Sequence, residues 1–268
     1  MISGKADLED IRELIEKETG PFHVVRHVSE GRNSEVSVIV QAGNETTFIK
    51  GRRADHSWAW TQARERAVNP AVRHISPYLK WSARNDKWDL NGFEFVPGRP
   101  ADYSRDSADI PKVVNTMRQL QEIPCPDMEI KQADQRWASY TDTPELFTGT
   151  CLLHTEWTPG NVLVSDRAYL VDWAWPTKGA AWIDPACWVV WLIASGHSPR
   201  SAEKYAALIP SWQDAPESSV DEFARVQARM WAGIAAESSE PWTKSLATAS
   251  SLWSSHRDIL TAMQEVPK

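Results

Sequence analysis

From Leu152 to Val164 the chain reads Leu-Leu-His154-Thr155-Glu156-Trp157-Thr158-Pro159-Gly160-Asn161-Val-Leu-Val, and a few residues later Leu170-Val171-Asp172-Trp173. Two short apolar strands bound a loop that presents a carboxylate at Glu156 and an amide oxygen at Asn161. A hairpin then returns a second carboxylate, Asp172, eleven residues on. Hard oxygen donors of this kind suit Mg²⁺, whose shell is usually completed by water and substrate phosphates. Asn and Asp also serve turn backbone on their own account, but this order and spacing favour a phosphoryl-transfer site.

Upstream of this stretch the pattern is that of a small antiparallel sheet. Asp7–Glu18 places Leu8, Ile11, Leu14 and Ile15 at the helical period and stops at Gly20-Pro21, so it predicts an amphipathic opening helix. Residues 22–28, 35–40 and 46–50 alternate, are rich in β-branched residues and are separated by Gly31-Arg32-Asn33-Ser34 and by Gly43-Asn44, which predicts a three-stranded meander. A helix is expected over Ser57–Val68, ending before Asn69-Pro70. A hairpin of 78–82 and 88–95 across Asn85-Asp86 completes five strands. Val96-Pro97-Gly98-Arg99-Pro100 is a rigid turn-rich stretch. Beyond it helices are predicted near 109–122, 132–140, 184–196, 201–209, 219–237 and 242–264, interrupted only by short strands at 152–154, 162–164 and 169–171.

The ordered residues from about Phe22 to His197, most strongly His154 to Trp188, resemble the aminoglycoside phosphotransferase family, relatives of the protein kinases. The resemblance implies an α+β, two-lobed protein-kinase-like fold, with a small antiparallel-sheet N-lobe over 1–96 and a mainly helical C-lobe over 97–268. It implies that Asn161 and Asp172 are Mg²⁺ ligands, that His154 braces the loop, and that Asp184 in Trp182-Ile183-Asp184-Pro185 ties the loop to the following helix. Lys50, ending Phe48-Ile49-Lys50, takes the place of the strand lysine that neutralises ATP phosphates, with Glu65 as its partner. Glu30-Gly31-Arg32-Asn33-Ser34 lies where relatives cover the phosphates, through Asn33 and Ser34. Glu94-Phe95-Val96 resembles the hinge whose backbone, at Glu94 and Val96, receives adenine, although a plain edge strand has the same composition. No G-x-x-x-x-G-K-[ST] occurs, which disfavours a Walker-type NTPase.

One position departs from the family pattern. Where relatives place an aspartate as catalytic base, this chain has Glu156. The two carboxylates differ by only about 0.4 pKa units in model peptides, so basicity is nearly kept. Reach is not kept: an extra methylene moves the carboxylate by roughly 1 Å, and such a shift can cost about 10²-fold in rate. The implied activity is therefore an ATP- and Mg²⁺-dependent kinase acting on a hydroxyl of a small molecule, an aminoglycoside, another aminosugar or an antibiotic. The alternative is a nucleotide-binding pseudokinase with impaired catalysis.

Composition excludes other classes. The chain has 268 residues with 42% hydrophobic and 24% charged, ordinary globular usage that disfavours disorder and coiled coil. Its net charge of −7 divides unevenly: residues 1–100 carry +1 and residues 101–268 carry −8. An acidic half repels nucleic acid and draws a small cationic acceptor, although acids also serve solubility. No apolar run reaches the roughly 20 residues of a membrane span and Met1–Glu18 is charged throughout, so no membrane partner is expected and the expected location is cytoplasmic. Three cysteines, Cys125, Cys151 and Cys187, are too few for a disulfide framework and are expected to be buried thiols. Cys151, His154 and Cys187 lack the fourth ligand and second close pair that a zinc site requires. The 15 tryptophans read first as core and groove residues. Among them Trp212, Trp231, Trp242 and Trp253, with Asp214, Glu217, Asp221 and Glu222, are candidates for gripping a cationic acceptor.

Overall fold

A computed structural model of the chain describes residues 8–28 and 34–264. The elements run α1 (Leu8–Thr19), β1 (His23–His27), β2 (Val36–Ala42), β3 (Glu45–Arg53), α2 (Trp60–Val72), β4 (Leu79–Arg84), β5 (Trp88–Glu94) and β6 (Arg99–Pro100). There follow α3 (Ile110–Gln121), β7 (Lys131–Gln132), α4 (Ala133–Trp137), β8 (Cys151–Leu153), β9 (Val162–Val164), β10 (Ala168–Leu170) and β11 (Thr177–Gly179). The chain continues through α5 (Ile183–Ala194), α6 (Pro199–Ala206), α7 (Pro210–Gln213), α8 (Glu217–Glu237) and α9 (Pro241–Gln264). Two compact units result. One contains the chain up to Arg99 together with Tyr169–Trp175, the other Pro100–Ala168 and Pro176 onward.

In the first unit a five-stranded sheet has the order β1-β2-β3-β5-β4, with every neighbouring pair antiparallel. The opening helix packs through Ile11 and Ile15, both fully buried, against Val36, Val38, Val40, Ile49, Trp88 and Leu90. Strand alternation turns Ile49 toward that core and its neighbour Lys50 to the opposite face. The hairpin turn between β4 and β5 is stapled by Asn85, whose Oδ1 accepts from the N–H groups of Lys87 (2.9 Å) and Trp88 (2.7 Å).

Helix α2 departs from expectation. It begins at Trp60 rather than Ser57 and continues through Pro70 to Val72. Proline removes one helical N–H and usually ends a helix before it. Here Val68 and Val72, four residues apart on one face, are both fully buried, so ending at residue 68 would uncover the second of them. Asn69 further ties the helix to the approach of β4, donating Nδ2 to the Pro77 carbonyl (2.9 Å) and accepting from the Leu79 N–H (2.8 Å).

The second unit is mainly helical, with α8 packed on α9 and α5 on both α6 and α9. Its small sheet, β7-β11-β8, combines a parallel and an antiparallel pair; sequence pattern alone does not announce β7 or β11. Phe223 on α8 meets Trp137, Phe147 and Trp182 edge to face, with centroids 4.9, 5.2 and 5.5 Å away. Of the three thiols only Cys187, inside the apolar helix α5, is buried; Cys125 and Cys151 are half-buried, because one lies in a loop and the other begins a strand. No helix among the described residues is long and apolar enough to cross a membrane.

Because Phe223 is fully buried and touches three aromatic rings, Phe223→Ala is expected to cost about 3–5 kcal/mol. Urea unfolding followed by tryptophan fluorescence checks this, and a loss below about 1 kcal/mol would show that the ring is not central to the packing.

Candidate functional site

The first unit holds a buried charge cluster built around Lys50. Its Nζ lies 3.0 Å from Glu65 Oε2 and 2.6 Å from Asp172 Oδ1. Lys50 comes from β3, Glu65 from the buried side of α2, and Asp172 from the returning segment 169–175. Burial works against the ammonium charge, but the Asp172 and Glu65 carboxylates more than offset it and hold Lys50 above the ordinary lysine value. Glu65 is pushed up by its own burial, against the pull of Lys50.

The segment that carries Asp172 is anchored on both sides. Leu170 N–H donates to the Ile75 carbonyl (2.8 Å), Trp173 N–H donates to Glu65 Oε1 (3.3 Å), and Trp173 Nε1–H donates to Ser76 Oγ (2.8 Å). Asp172 itself adopts φ 64°, a left-handed conformation that Asp tolerates better than most residues. Its side chain retains 23% exposure, whereas Glu65 at 6% is buried with the lysine. Glu65 is thus enclosed with the lysine, and Asp172 is the carboxylate with access to solvent.

The second unit holds the loop. Asp184, at the start of α5, accepts from the backbone N–H of His154 (2.9 Å, Oδ2) and of Thr155 (2.7 Å, Oδ1). Those two bonds pin the loop where Thr155 sits at φ 66°, an arrangement a β-branched residue avoids without outside support. His154 Nδ1 accepts from Glu156 N–H (3.3 Å), so it braces the residue two ahead. Asn161 donates Nδ2 to the Glu156 carbonyl (3.2 Å), which leaves Oδ1, the metal-compatible atom, on the other side of the amide. Glu156 is 30% exposed, with Oε1 3.8 Å from Arg136 Nη2; Arg136 also donates Nη1 to Thr177 Oγ1 (3.1 Å).

Ser34 is half-buried ahead of β2, and Asn33 lies outside the described residues. Glu94 ends β5 with its N–H given to the Tyr78 carbonyl (2.9 Å), and the Val96 carbonyl accepts from Gly98 N–H (2.8 Å). Two of the acids expected to grip a cationic acceptor are already committed. Asp221 holds Arg257 (2.5 Å) and Thr261, while Glu222 holds Arg229 (2.6 Å), Arg225 and Thr141. Trp253 is fully buried. Among the described residues no group of three or more His, Cys, Asp or Glu side chains could hold a metal ion.

Sequence reasoning does not single out Arg136 or Ser76. Arg136 sits in a five-residue helix without a motif, and a serine that accepts from an indole is indistinguishable in sequence from a surface serine.

Comparison with solved structures shows the fold. The chain is similar to the crystal structure of aminoglycoside phosphotransferase APH(4)-Ia, with TM-score 0.61 and 10% identity over 94% of this chain and 99% of the other. It is similar to choline kinase LicA from Streptococcus pneumoniae, with TM-score 0.64 and 12% identity over 93% and 99%. A ternary complex of a thermostable APH(4)-Ia mutant with AMP-PNP and hygromycin B aligns with TM-score 0.57 and 13% identity over 93% and 98%. At these identities the likeness shows the fold alone, a protein-kinase-like α+β fold with an antiparallel-sheet portion and a helical portion. No protein-family model and no curated protein sequence matches the chain.

Burial raises the Asp184 carboxyl from 3.8 to about 6, against the two backbone amides that favour its charge. A carboxyl raised on folding contributes most below its unfolded value and loses that contribution as pH rises through the folded one. The stability advantage of wild type over Asp184→Asn is therefore expected to be largest near pH 4 and to narrow toward pH 7. Denaturant titrations of both proteins across that range check the sign, and an advantage that grows with pH would contradict it.

Proposed function

We propose that the chain is an ATP- and Mg²⁺-dependent phosphotransferase that acts on a hydroxyl of a small molecule, aminoglycoside-like or another antibiotic or aminosugar. The observation that carries the reading is the pairing of Lys50 with both Glu65 and Asp172. In kinase-type sites the strand lysine must be held by a helix glutamate while an aspartate holds metal. Lys50 then neutralises nucleotide phosphates, with Glu65 keeping it in place. Ser34, with Asn33, covers the phosphates, and the backbone at Glu94 and Val96 receives the base.

Asp172, a partly exposed carboxylate, and Asn161, whose amide nitrogen is already spent, are each hard oxygen donors of the kind a divalent cation takes. When bound, Mg²⁺ neutralises phosphate charge. Glu156 orients the acceptor hydroxyl and accepts its proton. An acceptor with positive charge suits the acidic residues 101–268. The alternative, a nucleotide-binding pseudokinase, draws support from the same carboxylate: Glu156 carries the longer side chain and has Arg136 3.8 Å away.

The test is transfer of labelled γ-phosphate from ATP, with Mg²⁺, to a panel of aminoglycosides, other aminosugars and antibiotic hydroxyls. Transfer to at least one is expected, with Glu156→Gln lowering kcat by about 10²-fold or more. Transfer to none, by protein that still binds ATP, rejects the kinase and favours the pseudokinase.

A further inference from the structure

Arg52 stands two residues beyond Lys50 on β3, so strand alternation puts the two cations on one sheet face. Their surroundings differ. Lys50 has two carboxylates, whereas Arg52, only 4% exposed, has none within ion-pair distance among the described residues. The natural partner would be Asp89, directly opposite on β5. Arg66 from α2 has already taken both of its oxygens, with Nη1 at 2.5 Å from Oδ1 and Nη2 at 3.1 Å from Oδ2.

What Arg52 has instead is neutral. Its Nη1 donates to His56 Nδ1 (2.9 Å), an atom that also accepts from Trp58 N–H (3.0 Å) and so carries a lone pair rather than a proton. Its guanidinium lies over the Trp58 ring at 5.7 Å. Its Nε, buried, has no acceptor among the described residues. The negative fields of Glu35 and Asp172 oppose the effect of burial on the guanidinium without either carboxylate lying within ion-pair distance.

A buried guanidinium with an unspent donor and no anion within ion-pair distance among the described residues is costly, and its planar fork matches phosphate oxygens two at a time. We propose that Arg52 is a second phosphate-binding cation beside Lys50, one that grips the terminal phosphates of a nucleoside triphosphate and so sets a preference for polyphosphates over monophosphates. The inference rests on the nucleotide reading above. The competing role is structural: Arg52 would only brace the turn between β3 and α2 through His56 and Trp58.

Calorimetric titration of wild type, Arg52→Gln and Arg52→Lys with Mg-ATP and with AMP separates these roles. Arg52→Gln is expected to weaken ATP binding by about 10- to 100-fold while AMP binding stays as in wild type, and Arg52→Lys, which keeps charge but loses the fork, should fall between. Equal losses for ATP and AMP, or no loss for either, overturn the proposal and leave Arg52 as a brace. Wild type that binds neither nucleotide overturns the nucleotide reading and this inference together, so the two failures are told apart in one experiment. If circular dichroism shows Arg52→Gln unfolded, Arg52→Lys carries the comparison, and an ATP-to-AMP affinity ratio equal to that of wild type then rejects the proposal.

Discussion

A lysine ammonium cannot be buried without compensating charge, and Lys50 meets that constraint with two carboxylates rather than one. Each partner ties a different part of the chain to β3: Glu65 fixes the face that α2 presents, and Asp172 draws in the segment 169–175. The second tie is reinforced by the bonds of Trp173 to Glu65 and Ser76. Both acids hold the lysine, and only Asp172 keeps a partly solvent-exposed side chain.

The loop in the helical unit obeys the same logic with backbone in place of ammonium. Thr155 has a positive φ and Asp184 accepts from the consecutive backbone N–H groups of His154 and Thr155, so an unfavourable conformation is held by a buried acceptor. Glu156 and Asn161 are presented by that held loop, and the bond from Asn161 Nδ2 to the Glu156 carbonyl couples the two. Arg136 acts on both Glu156 and Asp184, by ion pairing to the first and by its field at the second.

Much of this is legible in the sequence where local pattern and chemistry coincide. The alternation Phe48-Ile49-Lys50 assigns Ile49 to the core and Lys50 to the other face, and the structure agrees. The long helices and the β4–β5 turn at Asn85 come from periodicity and turn chemistry. The features that escape a sequence reading depend on tertiary contact. Continuation of α2 past Pro70 is decided by the burial of Val72. Strand β11, Thr177-Lys178-Gly179, has no β-branched run and exists because β8 and β7 flank it. The burial of Arg52 with no carboxylate within ion-pair distance among the described residues is visible only once Arg66 is seen to occupy Asp89.

The central claim is that Lys50 and Asp172 form the phosphate and metal end of a nucleotide site, and Mg²⁺ dependence of ATP affinity tests it most directly. Titration of ATP with and without Mg²⁺ should show wild type binding at least about tenfold more tightly when the metal is present, and that gain should disappear in Asp172→Asn. An equal gain in both proteins, or no ATP binding by wild type under either condition, would contradict the account.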